Sequence, residues 1–80
     1  MLVVKQCKFT DGDVSGGREE LLSRILNTEN ECASLVMAQR LAATGATWGP
    51  DGKKCYAEFG DNIPKSDRFR ACLFTSGNGF

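Results

Sequence analysis

Hydrophobic positions change period several times along this chain, and the changes outline its elements. Residues 2–10 interleave Val3, Val4, Cys7 and Phe9 with Lys5, Gln6 and Lys8, a β-branched and broadly alternating run that predicts a strand. Residues 11–17 hold three glycines and two aspartates, and so predict a loop. Leu21, Leu22, Ile25 and Leu26 fit one helical face, but a short strand over the same residues fits nearly as well, and residues 18–26 stay open between the two. Thr28 with Glu31 three residues on is a capping box and opens a helix. At 100° per residue, Cys32, Leu35, Val36, Gln39, Ala42 and Ala43 share one side, with Ser34, Ala38 and Leu41 largely opposite. Glu29 and Glu31 place negative charge at the positive end of the helix dipole, Gly45 is a natural residue to end the helix, and four turns is its upper limit.

Residues 46–48 then read as a short strand and residues 49–52, Gly-Pro-Asp-Gly, as a turn. Residues 53–59 alternate cleanly, with Cys55, Ala57 and Phe59 on one face and Lys54, Tyr56 and Glu58 on the other. A loop around Pro64 leads to a last strand over residues 68–74. There Phe69, Ala71 and Leu73 oppose Arg68, Arg70 and Cys72. The small and polar residues 75–80 read as a tail or the start of a linker, which leaves residues 1–74 as one domain.

Eighty residues bury a modest core, and four cysteines change the picture by offering covalent support. An even cysteine count in so short a domain predicts disulfides and an oxidising, extracellular compartment, with either a signal peptide removed or the domain cut from a longer chain, and Met1 readable simply as an expression start. Four cysteines allow three connectivities, and the sequence alone does not choose among them. A helix packed on a sheet brings the first helical turn to the apolar face of the following strand, which ranks Cys32–Cys55 first and leaves Cys7–Cys72 to join the terminal strands. In the chain-entropy account the inner loop contributes roughly 3 kcal/mol and the outer roughly 4 kcal/mol.

Glu31-Cys32-Ala-Ser-Leu-Val, then Ala46-Thr-Trp48, then Lys53-Lys-Cys55-Tyr resembles the helix and hairpin of the PAN/apple superfamily, and Cys7 with Cys72 is similar to that family's outer bridge. The likeness spans roughly residues 6–74. The chain departs from the usual pattern at Val36, where the family has a second helix cysteine, and that cysteine's partner is missing from residues 42–46 as well. The resemblance implies an α+β fold, an antiparallel sheet cradling one helix, and a role as an extracellular module that binds proteins or carbohydrates within a larger secreted or cell-surface protein.

The ten basic and ten acidic residues cancel, without the basic face of a nucleic-acid binder or the cationic stripe of an interfacial helix, and no apolar run reaches membrane-spanning length. There is no histidine, which removes Ser-His and Cys-His nucleophile pairs and His-containing zinc sites. The cysteines have 24, 22 and 16 residues between them, unlike the close pairs of a Cys₄ zinc site. Asp11-Gly-Asp13 together with Asp61-Asn62 has some of the oxygen donors of a calcium loop, but the closing glutamate of an EF-hand is missing and a polar turn is the simpler reading. Acid pairs for hydrolysis can be imagined among Glu19, Glu20, Asp51, Glu58 and Asp61, but nothing in the sequence places two of them across a cleft, and surface solubility is the better reading.

The expectation is therefore a non-enzymatic domain without a cofactor, free of nucleic acid and membrane insertion. Trp48, Lys54, Tyr56, Arg68 and Arg70 are its candidate ligand-binding residues, chosen because aromatic and arginine side chains dominate recognition surfaces. For Trp48 a place in the core is the competing reading. Self-association as a structural or assembly domain is the alternative role.

Overall fold

A computed structural model describes residues 3–78; residues 1, 2, 79 and 80, with the two ends of the expected first strand and tail, lie outside them. The element order is β1 (Val3–Cys7), β2 (Thr10–Asp11), β3 (Glu19–Ser23), α1 (Glu29–Gln39), β4 (Gly45–Gly49), β5 (Lys54–Glu58) and β6 (Arg70–Asn78). All strands join one antiparallel sheet in the order β1-β6-β4-β5-β3, and β2 adds to β6 beside the end of β1. The fold is thus α+β, an antiparallel sheet with one helix. No helix among the described residues is long and apolar enough to cross a membrane.

The expected first strand divides at Lys8 and Phe9, so that β1 and β2 run in turn along β6. Residues 18–26, open between helix and strand, form β3, whose pairing with β5 shifts register between Leu21 and Ser23. Thr75, Ser76, Gly77 and Asn78, expected to begin a tail, continue β6 and pair with residues 3–6 of β1. Arg68 lies before the strand, exposed, and Lys53 sits in the turn with φ 53°.

The helix begins as its capping box requires. The Thr28 hydroxyl accepts from the Glu31 amide at 3.2 Å, and the Glu31 carboxylate accepts from the Thr28 amide at 3.1 Å. It ends earlier than expected, at Gln39. Arg40 leaves helical geometry with its amide still bonded to Val36 O, and its guanidinium reaches Glu20 of β3 at 2.9 and 2.7 Å. Gly45 therefore does not end the helix: it opens β4, where a Cβ would collide with the Cys72 carbonyl oxygen of the neighbouring strand. Leu41, placed off the apolar side by the helical count, stands 82% exposed.

The two faces of the sheet bury different things. On the helix face, Ala46, Ala57, Cys55 and Cys72 meet Cys32, Val36 and Ala43, and Phe9, Leu22, Leu26, Leu35, Trp48, Phe59 and Phe74 close the margins. Almost everything fully buried there is alanine, valine or half-cystine, a small apolar interior for a free-standing domain. The bridges supply what it lacks. Cys32–Cys55 ties the first turn of α1 to β5, and Cys7–Cys72 ties β1 to β6, each with Cα atoms 5.3 Å apart. On the opposite face the loop between β2 and β3 and the loop after β5 lie over Thr47, Glu58 and Ala71. Val14 is buried beneath them, and Ser15 and Asn62 pair as a β-bridge. These loops touch backbone to backbone: a Cβ at Gly60 would overlap the Ser15 carbonyl, and one at Gly17 the Phe59 carbonyl.

Candidate functional site

Beneath that loop layer three carboxylates converge. Glu19 at the start of β3 and Glu58 at the end of β5 are direct cross-strand partners, and their side chains leave the sheet on the same face. Asp13 comes from the covering loop, where its amide is held by the Pro64 carbonyl at 3.1 Å. One carboxylate oxygen from each of the three lies within 4.8 Å of those from the other two. Exposure falls inward, from exposed Glu19 through half-buried Asp13 to Glu58, which is 1% exposed.

The alternation of residues 53–59 put Glu58 outward with Lys54 and Tyr56, and here the fold departs from it. Glu58 does point away from the helix, but the second loop layer covers it. Its Oε2 is buried without a hydrogen-bond partner, as is Oδ1 of Asp13. Neighbouring Thr47 is itself buried, and its hydroxyl accepts from the Val14 amide at 3.3 Å. Burial pushes the Glu58 carboxyl up to about 9. Glu19 beside it and the negative charge of Asp13 add to the rise, and the Thr47 hydroxyl works against it. Asp13 is also raised, chiefly by burial and then by the charge of Glu19. Three acids converge on one recess that is open at Glu19 and closed at Glu58, and two of them are paired directly across strands, which sets like charges against each other.

Other acids go elsewhere. Asp11, two residues from Asp13, bonds Arg70 at 2.7 Å, so the Asp-Gly-Asp turn does not act as one ligand loop. Glu20 bonds Arg40, which holds its carboxyl below the usual range. Asp51 is exposed in the turn before β5 and Asp61 is exposed in the loop after it.

The five candidate binding residues do not form one surface. Trp48 and Arg70 are register partners on the helix face. Trp48 is half-buried among the core margin and donates from Nε1 to the Leu26 carbonyl at 3.0 Å. Arg70 is clamped between Glu29 of the helix at 2.9 Å and Asp11 of β2, which pushes its already high pKa further up. Tyr56 and Lys54 are half-buried on the loop face, with Leu21 directly opposite Tyr56. Arg68 is exposed near a shallow groove of about 390 Å³ lined by Asp11, Lys65, Ser66 and Asp67.

The carboxylate cluster escaped the sequence reading because its members are 6 and 39 positions apart and meet only through the β3–β5 pairing and the loop folded over it. The one available signal was Glu58 itself, an acid in a strand whose other members are largely apolar. Compared with known proteins, the chain matches no family model, no curated protein and no solved structure.

Proposed function

We propose that the domain is an extracellular recognition module of the PAN/apple kind, holding a protein or carbohydrate ligand against the open part of its sheet. The observation that carries this reading is the pair of disulfides. One fastens the helix to β5 and the other fastens β1 to β6, a construction suited to an oxidising compartment and to a rigid surface on a small core. The loop layer covers only part of the sheet, and Leu21, Lys54 and Tyr56 stand half-buried on adjacent strands beside it. An aromatic ring next to an ammonium group on a fixed strand offers a stacking surface for a sugar or an apolar peptide side chain, together with a hydrogen-bond donor.

A glycan array combined with a sizing column tests this. The expected result is a monomer that binds a defined set of sugars and loses affinity roughly thirtyfold with Tyr56→Ala at unchanged melting temperature. Binding untouched by Tyr56→Ala would remove this surface from the proposal. Silence on glycans with dimers that grow with concentration would instead make the chain an assembly domain.

A further inference from the structure

We propose that Asp13, Glu19 and Glu58 form a binding site for a hard divalent cation of calcium size, a role separate from ligand recognition on the sheet. The donors are all carboxylate oxygens, the set chosen by calcium, magnesium and manganese rather than by zinc or copper. The four cysteines are consumed in disulfides and histidine is absent, so no softer donor competes. The number of protein carboxylates favours calcium, since magnesium keeps several of its waters and takes one or two carboxylates. The three donor oxygens lie within 4.8 Å of one another, close enough to share one ion.

The second observation is Glu58. Its carboxyl group is 1% exposed and faces the other two acids, and its Oε2 has no hydrogen-bond partner. A buried acceptor without a donor is rare in a folded protein and costs free energy until a partner arrives. A cation between the three carboxylates would satisfy Oε2 of Glu58 and Oδ1 of Asp13 together. Glu19 stands at the exposed mouth, where an ion enters and waters complete six to eight ligands. The elements joined are β3, β5 and the loop after β2, so an ion here would fasten the covering loop to the sheet.

The test uses the oxidised 80-residue chain, freed of metal with a chelator, at mildly alkaline pH, where calcium competes least with a proton on Glu58. Titration calorimetry with calcium chloride is expected to show one site with a dissociation constant of about 0.1–1 mM, the range of extracellular calcium modules. At tenfold excess over that constant the melting temperature rises by roughly 5–10 °C, with a smaller rise for magnesium. Terbium is expected to luminesce on excitation of Tyr56, the only tyrosine, which shares its strand face with Glu58 two residues away. Glu58→Gln abolishes the calcium-dependent rise, and Glu19→Gln, a change at the exposed mouth that leaves the interior intact, weakens calcium at least tenfold. Absence of both heat and melting shift in the wild-type chain up to about 10 mM calcium, tenfold above that range, would overturn the proposal. So would a shift that survives in either variant at full size.

Discussion

At the scale of single residues, Glu58 is where stability and pH meet. Its carboxyl is pushed from the usual 4.5 to about 9 by burial first and by Glu19 next, so the folded protein holds the proton more tightly than the unfolded chain does. For an acid raised in this way, the contribution to stability is complete below about 4.5 and is lost as pH rises through about 9. In chelated buffer the domain is therefore expected to lose stability between those limits, by at most about 1.4 kcal/mol per pH unit. Glu58→Gln, which keeps the shape without the charge, should flatten this slope and raise the melting temperature at neutral pH. Glu20 works the opposite way, since its carboxyl is lowered by Arg40 and its bond weakens in acid. The difference between wild type and Glu58→Gln across a pH series of melting curves isolates the buried group. A parallel pair of curves would show that Glu58 is solvated. Strand alternation foretold the direction of this side chain and not its burial. Period two separates the faces of a sheet, but whether a second layer covers the outer face depends on loops remote in the chain.

Elements were legible where their signals are local. The Thr28–Glu31 box marked the helix start because both partners lie within one turn, and the Gly-Pro-Asp-Gly turn marked the hairpin for the same reason. The helix end was not, because glycine serves two purposes: Gly45 answers the close approach of β4 to the Cys72 carbonyl rather than helix termination. The clamp on Arg70 was likewise invisible, since it joins residues 59 and 41 positions away. That clamp ties three elements, β6, β2 and the first turn of α1, through one guanidinium that remains 35% exposed. Removing it with Arg70→Ala should cost roughly 1 kcal/mol, discounted for solvent screening, and the loss should shrink as salt is raised. Urea unfolding at two ionic strengths checks this. A loss independent of salt would assign the effect to packing of the side-chain stem instead.

For the whole molecule, the α+β class was legible, and the pairing ranked first among three connectivities is the one present, Cys32 with Cys55 and Cys7 with Cys72. The second loop layer did not follow, and with it the carboxylate cluster. The bridge from Cys32 to Cys55 lies wholly inside the span from Cys7 to Cys72, and that nesting has a practical outcome. Wherever a protease makes one cut between residues 7 and 72, the two pieces still share at least one sulfur link. An exposed turn such as residues 50–53 could be nicked by a protease, and the product would migrate as a single band until a reductant is added. Two bands without reductant would mean that the sulfurs are paired otherwise. A domain wired in this way outlasts damage to its surface loops and still hands on tension from one terminus to the other.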